Sequence, residues 1–372
     1  MMGALGAAAV PGKKPRIAAI VTEYRWYSHA DVVCGRLLGG NSANGTWHEP
    51  RTNLVSMYTA QVPSNDMSRD MAARCGFKIY PTIREALTLG GDRLAVDAVV
   101  FIGEHGNYPT NDVGQKLYPR HELFSQILDV YEANGRGVPT FFDKHLSYSW
   151  PKAEEMYRRA RKLGFPFMAG SSIPVTIRRP EVDLSLDTPL TEVAAIGYAD
   201  LDAYGFHTLE AMQCIVERRK GGETGIARVE MVEGDAARKA ADTELVAEAL
   251  KVQNATLENL TAVFRIDYRD GLRATVPMLK SGAWSVAWRT PNGTQATLFG
   301  PSWSRPLPHF DGLVYLIEQM FLTGKETYPV ERTLLTTGAM AFLFESRRNK
   351  APVETPLTVR YTAPKESWFQ KA

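Results

Sequence analysis

The segment from residue 138 to residue 172 constrains the fold more than any other part of the chain. It reads VPTFFDKHLSYSWPKAEEMYRRARKLGFPFMAGSS, with apolar runs at 138–142 and 165–169 and a segment of helical periodicity between them. Ser149 is a candidate N-cap for that helix, and Gly164 suits a left-handed C-terminal stop. Strand, helix and strand in this order predict a parallel crossover, which belongs to an α/β sheet.

Charged residues follow the first of these strands directly, as Asp143, Lys144 and His145. Ligands of open parallel sheets bind beyond the carboxyl ends of the strands, so these side chains are candidates for a site. The competing interpretation is a solvated loop, which is where charged side chains usually lie. Another apolar strand, VDAVVFI, runs into Glu104 and His105, and parallel order places the two strand ends side by side.

The block around Lys144 resembles the last βαβ unit of the dinucleotide-binding domain in the Gfo/Idh/MocA family of oxidoreductases. In that family the strand ends in Glu-Lys-Pro, and the next helix and strand run much like AEEMYRRARKLGFPFMAG. The resemblance implies that Lys144 contacts both substrate and nicotinamide and that Asp143 lies at the cofactor. His145, a candidate substrate contact, replaces a proline that often carries a cis bond, and a histidine makes a cis bond costly.

A second block, DAYGFHTLEAMQCIVERRKGGETGIARVEMVEG, resembles the family's helix that opens with Gly, then His, then an acid. Here these positions are Gly205, His207 and Glu210. His207 and Glu210 are three residues apart on one helix face, so the carboxylate is expected to orient the imidazole and raise its pKa. A histidine and glutamate at this spacing are more often structural. The match makes His207 the candidate acid/base, with the phenol of Tyr204 nearby to share the proton.

The turn after the first strand departs most from a dinucleotide-binding domain. Such a strand normally leads into GxGxxG, whereas here TEYRWYSHADVVC follows, with no glycine between residues 21 and 35. The second strand, 54–59, also ends without the acid that binds a ribose. Either Arg25 and the next helix hold the pyrophosphate differently, or the bulky turn fills the site and no dinucleotide binds. Under the first interpretation NAD or NADP contacts residues of the turn and of the neighbouring strand ends: Thr22, Arg25, Ser28, His29, Glu104, His105 and Asp143.

We predict three parts in the chain: a leader at 1–14, a Rossmann-like α/β domain at 15–169, and an α+β domain at 170–372. The third part begins with SSIPVTIRRP, in which Arg178 either holds an anionic substrate group or is simply solvated. Residues 226–300 read as strands of an open, mostly antiparallel sheet. The resemblance implies that this sheet pairs with another subunit to form a homo-oligomer and that the last helix packs back on the first domain.

Composition narrows the function classes. A net charge of +2 does not indicate that the protein binds nucleic acid, and no apolar run has the length of a membrane span. The three cysteines show no metal or disulfide spacing, and no metal ligands are assigned. The apolar start, ending in two lysines, allows an export signal as an alternative to the cytoplasm.

Three functions remain. The first is an NAD(P)-dependent oxidoreductase that acts on a sugar, cyclitol or related hydroxy compound, as the resemblance implies. The second is a lyase, isomerase or hydrolase that uses the same cleft for acid–base or metal-assisted chemistry without a dinucleotide. The third is a non-catalytic sugar-binding relative, because a fold does not fix a function.

Overall fold

A computed structural model describes residues 13–371, so most of the predicted leader lies outside the described residues. The strands are β1 Arg16–Val21, β2 Asn53–Thr59, β3 Lys78–Ile79, β4 Ala98–Ile102, β5 Thr140–Asp143, β6 Phe167–Gly170, β7 Arg178–Arg179, β8 Glu192–Tyr198, β9 Ile226–Glu233, β10 Leu260–Tyr268, β11 Arg273–Leu279, β12 Trp284–Thr290, β13 Gly293–Phe299 and β14 Val353–Glu354. The α-helices are α1 His29–Gly39, α2 Ser68–Cys75, α3 Ile83–Thr88, α4 Arg120–Ala133, α5 Trp150–Leu163, α6 Ala203–Val216, α7 Gly234–Ala241, α8 Glu244–Lys251, α9 His309–Thr323 and α10 Glu331–Asn349.

The first six strands form one parallel sheet in the order β3-β2-β1-β4-β5-β6. This order confirms the predicted Rossmann-like architecture. Apolar side chains of α1 and α9 cover one face of the sheet, and those of α3, α4 and α5 cover the other. The carboxyl ends of β1, β4 and β5 therefore meet at one edge.

The predicted crossover is present, with α5 between β5 and β6. Gly164 ends α5 in the left-handed conformation, with φ of 68°, and Ser149 has the extended backbone of an N-cap without a side-chain cap bond. The strands β5 and β6 each start two residues later than predicted, at Thr140 and Phe167. The residue before each start is a proline, which has no N–H to donate to the ladder.

The second sheet has eight strands in the order β14-β9-β10-β11-β8-β12-β13-β7. Its neighbouring strands are antiparallel except for β8 and β11, so it is the mixed, mostly antiparallel sheet that the sequence predicted. Helices α6 and α10 pack on one face. α10 also contacts α5, and α9 contacts α1, so the end of the chain returns to the first sheet. The limits of the three predicted parts stay predictions.

The interpretation of residues 226–300 as strands alone was wrong, because α7 and α8 interrupt them. Both helices lie on the second face of the eight-stranded sheet. Leu245, Val246 and Ala249 of α8 are buried against β8, β11 and β12, and Ala237 of α7 is buried against Val263 of β10. This part of the second face is therefore covered by helices, and pairing with another subunit through the sheet stays a prediction. Homo-oligomerisation itself stays a prediction.

None of the helices in the described part of the chain combines the length and the apolar character that crossing a membrane would require.

Candidate active site

A cavity of about 270 Å³ lies where the carboxyl ends of β1, β4 and β5 face α6 and the start of α9. Its volume is near the lower end for small-molecule sites, which span roughly 300–1,000 Å³. The first sheet and α1 contribute His29, Glu104, His105 and Lys144 to the lining. The second half of the chain contributes Tyr204, His207, Trp303 and His309. The structure thus brings together six of the predicted site residues, and Trp303 and His309 are among the lining residues that were not predicted.

Backbone strain is concentrated around this cavity. Four of the ten non-glycine residues with positive φ in the described chain line it: Tyr27, His105, Lys144 and Leu307. The left-handed conformation costs a non-glycine residue about 1–3 kcal/mol and persists where the surroundings hold it, often at functional sites. The strain therefore supports a functional interpretation of the cavity.

Lys144 belongs to a buried charge network. Its Nζ lies 2.9 Å from Glu104 Oε1, and Arg120 Nη2 lies 2.5 Å from Glu104 Oε2. Burial favours neutral Lys144, but the Glu104 carboxylate outweighs it and raises the lysine pKa. Burial likewise opposes ionised Glu104, but the two cations outweigh it and hold the pKa of this carboxyl well below its usual range. Lys144 is thus a fixed ammonium group that can stabilise negative charge, and it is not the base.

A second pair joins His29 to Asp143. His29 Nδ1 lies 2.7 Å from Asp143 Oδ2, and Asp143 is completely buried behind it. A carboxylate at Nδ1 holds the imidazole in the tautomer with a free Nε2, which is the arrangement of a general base. His29 reaches the cavity because Ser28 caps α1 and makes His29 its first residue. The pair was not predicted from the sequence, and the predicted cofactor contacts of both residues stay predictions.

Ser171 joins His207 to Glu210. His207 Nδ1 lies 3.0 Å from Ser171 Oγ, which in turn lies 2.5 Å from Glu210 Oε2. Glu210 thus reaches the His207 imidazole through the Ser171 hydroxyl. The predicted rise in the pKa of His207 was wrong. Burial lowers this pKa well below its usual range, and the Lys144 ammonium lowers it further.

The other cavity groups stay neutral near pH 7. Burial lowers the pKa of His105 to about 3 and that of His309 to about 4. Burial raises the pKa of the Tyr204 phenol, so it remains a proton donor. Tyr204 lines the cavity and stacks on Trp284 at 5.4 Å between ring centroids. Such neutral imidazoles and a phenol can hydrogen-bond to hydroxyl groups as donors or acceptors.

The structure does not bring His145 and Arg178 to the cavity. His145 is buried behind Lys144, with its Nε2 2.8 Å from Arg120 Nη1. Arg178 is 1% exposed, pairs with Asp183 at 2.8 Å and packs between aromatic rings of β13 and the C-terminal segment. Their predicted substrate contacts were therefore wrong. The sequence did not reveal these partners, which are Arg120 for His145 and Asp183 for Arg178.

The turn between β1 and α1 does not form a phosphate cradle. Ser28 Oγ accepts from the backbone N–H of Asp31 at 3.3 Å, and the Tyr27 N–H donates to the Asp31 carboxylate at 3.0 Å. Arg25 forms an ion pair with Glu23, and Thr22 Oγ1 donates to the Glu104 carbonyl at 2.7 Å. Several of the donors at this helix N-terminus, where a pyrophosphate would bind, are thus engaged within the protein.

The neighbouring loops also close over this turn. The Met67 N–H donates to the Tyr24 carbonyl at 2.8 Å, and Arg25 pairs with Asp66 in a short β-bridge. Gln61, at the end of β2, exchanges hydrogen bonds of 2.8 and 3.2 Å with the backbone of Asn107 after β4. The residues present therefore do not fit a dinucleotide in the mode that the glycine-rich motif provides.

Residues 13–371 contain no group of three or more His, Cys, Asp or Glu side chains placed to hold a metal ion.

Comparisons with known proteins identify the fold. No protein-family model and no curated protein matches the sequence. The structure is similar to GenD2 from gentamicin A biosynthesis in complex with NAD, with a TM-score of 0.61 and 14% identity over 95% of this chain and 99% of that chain. It is also similar to myo-inositol 2-dehydrogenase from Lactobacillus plantarum, with a TM-score of 0.58 and 14% identity over 92% of this chain and 99% of that chain. A third similar structure is apo scyllo-inositol dehydrogenase from Lactobacillus casei, with a TM-score of 0.59 and 12% identity over 92% of this chain and 98% of that chain. The chain thus has the fold that its resemblance to Gfo/Idh/MocA oxidoreductases implied.

Proposed function

We propose that this chain, which has the fold of Gfo/Idh/MocA-type dehydrogenases, catalyses proton transfer on a small carbohydrate-like molecule without a dinucleotide. The observation that carries the proposal is the His29–Asp143 pair, a base with its orienting carboxylate, at 2.7 Å. It stands where the resemblance places cofactor contacts. The closed turn between β1 and α1 supports the same conclusion.

The residues have distinct roles in this chemistry. His29 Nε2 removes a proton from the carbon next to a carbonyl or carboxyl group of the substrate. The Lys144 ammonium, held by Glu104 at 2.9 Å, stabilises the negative charge that develops on the substrate oxygen. Tyr204, which stays protonated, then returns a proton. Delivery of that proton to a departing hydroxyl oxygen completes an elimination that releases water, and its delivery to the opposite face of the same carbon completes an epimerisation.

The first test measures proton exchange. The protein is incubated in D₂O with a panel of hexoses, uronic acids and ketocyclitols, and deuterium at carbon is followed by NMR. We expect exchange with at least one member, and loss of about 10²–10⁴-fold in rate for His29→Asn, the usual contribution of a general base. His121→Asn is the matched control, because His121 also pairs with a carboxylate, Glu155 at 2.9 Å, but on the surface. Exchange by His29→Asn at the wild-type rate would refute the role of His29.

A second candidate is NAD(P)-dependent oxidation of a hydroxyl group, which the fold and the position of Lys144 favour. Titration with NADH and NADPH, followed by nicotinamide fluorescence, separates the two. We expect no binding at millimolar cofactor. Micromolar binding, together with cofactor reduction by a sugar or cyclitol, would replace our proposal by the oxidoreductase. If the protein shows neither proton exchange nor cofactor binding, the remaining candidate is the non-catalytic sugar-binding relative.

A further inference from the structure

We propose that Trp303 forms a second subsite at the cavity mouth, which stacks on a flat ring attached to the reacting sugar. The substrate would then be a glycoside or disaccharide rather than a free monosaccharide. This inference rests on the proposed function, because it takes the inner cavity to hold the carbohydrate-like ring. It adds a ligand contact outside the proton-transfer residues.

The exposure of Trp303 is the first observation. Its side chain lines the cavity and yet is 54% exposed. Large aromatic side chains normally gain much stability from burial, and exposed apolar surface at a cavity is typical of binding sites. One face of the indole is thus available to a ligand that enters the cavity.

The position of Trp303 is fixed rather than accidental. The centroid of its ring lies 5.3 Å from that of the His309 ring and 6.1 Å from that of the Trp284 ring. The segment that follows is anchored on α1, where Arg36 Nη2 donates to the carbonyls of Pro306 and Leu307 at 2.8 and 2.9 Å. A pre-organised aromatic side chain binds a ligand without the cost of ordering it.

The chemistry of the two parts of the cavity indicates the ligand class. The inner part offers Lys144, Glu104 and imidazoles, which suit the hydroxyl and carbonyl groups of a sugar. The outer part offers the flat apolar face of Trp303, which suits the C–H face of a sugar ring or an aromatic ring. The volume of about 270 Å³ favours a single ring inside, so an attached ring would lie at the mouth, over Trp303.

The test compares ligands with one and two rings by calorimetry. Methyl glycosides of the common hexoses and uronic acids are the one-ring ligands, and the matching phenyl glycosides and disaccharides are the two-ring ligands. We expect at least one two-ring ligand to bind about tenfold more tightly than its methyl glycoside. Trp303→Ala should abolish this gain, because the two-ring ligand loses more affinity than its methyl glycoside does. A gain for phenyl glycosides alone would identify an aromatic aglycone, and a gain for disaccharides alone would identify a second sugar.

Trp47→Ala is the matched control, since Trp47 is 57% exposed and does not line the cavity. It should bind all ligands as the wild type does. Equal affinity for one-ring and two-ring ligands would overturn the subsite while leaving the proposed function intact. An equal loss of affinity for one-ring and two-ring ligands in Trp303→Ala would also overturn the subsite. Failure of every carbohydrate to bind the wild type would overturn both proposals, and circular dichroism of Trp303→Ala excludes misfolding as the cause of any loss.

Discussion

Replacement of Glu210 by glutamine should change how the stability of the protein depends on pH. Glu210 is 1% exposed, and its carboxylate accepts hydrogen bonds from the Ser171 backbone at 3.1 Å and hydroxyl at 2.5 Å. Burial nevertheless raises its pKa from 4.5 to about 7. Glutamine has nearly the same shape and carries no titrating proton.

The direction and size of the effect follow from this pKa. Between pH 4.5 and about 7 the unfolded chain has lost the Glu210 proton while the folded protein still holds it. The stability due to Glu210 is therefore fully present below pH 4.5 and is lost as pH rises through the folded pKa. One pKa unit corresponds to about 1.4 kcal/mol, so the loss amounts to about 3 kcal/mol. Glu210→Gln should lack this loss.

Urea unfolding followed by tryptophan fluorescence, at several pH values from 4 to 8, measures the effect. The free energy of unfolding of the wild type minus that of Glu210→Gln should fall by about 3 kcal/mol across this range. Asp202→Asn is the comparison variant, because burial raises the pKa of Asp202 from 3.8 to about 6. The free energy of unfolding of the wild type minus that of Asp202→Asn should therefore fall at lower pH than the same difference for Glu210→Gln. A difference for Glu210→Gln that does not change with pH would refute the reasoning.

Two further predictions concern packing and charge. Glu104→Gln leaves Lys144 and Arg120 as buried, unpaired cations, and should lower the free energy of unfolding by about 3–5 kcal/mol. With about 2.1 cal/mol/K of unfolding entropy per residue, this corresponds to a fall in Tm of about 5 °C by calorimetry, and an unchanged Tm would contradict the network. Gly197→Ala would place a Cβ 2.0 Å from Thr208 Oγ1 and should cost about 1–3 kcal/mol in urea unfolding. Adding Thr208→Ala should recover part of that loss, and no recovery would locate the strain elsewhere.

Much of the fold and part of the site could be predicted from the sequence. The order of strands and helices indicated a parallel sheet, and parallel strands bring their carboxyl ends to one edge. The proximity of Lys144 to Glu104 follows from that rule, although the two residues are 40 positions apart. The sequence also contains local signals for helix starts, since Ser28 and Thr82 are of residue types that favour N-caps and cap the helices that they precede.

Other features of the structure are indicated only weakly by the sequence. Whether Arg178 is solvated or buried depends on Asp183 and on two distant aromatic rings, which the sequence does not place together. Ser171 has no spacing that distinguishes it from any serine after a strand, although it bridges two predicted site residues. The helix α8 could have been found, because Thr243 is a helix-capping residue and Leu245, Val246, Ala249 and Leu250 repeat at helical spacing.

The closed turn between β1 and α1 bears on how such a protein could change during evolution. Its backbone is hydrogen-bonded to the loop after β2, through Tyr24 and Met67, and Gln61 joins that loop to the one after β4. A single mutation to glycine in the turn would break none of these bonds, because they run through the turn backbone and through Gln61. Several substitutions in three separate loops would have to occur together, and each alone would sacrifice stability. The closed turn therefore constrains evolution, since a glycine-rich phosphate cradle at this position requires coordinated substitutions in all three loops.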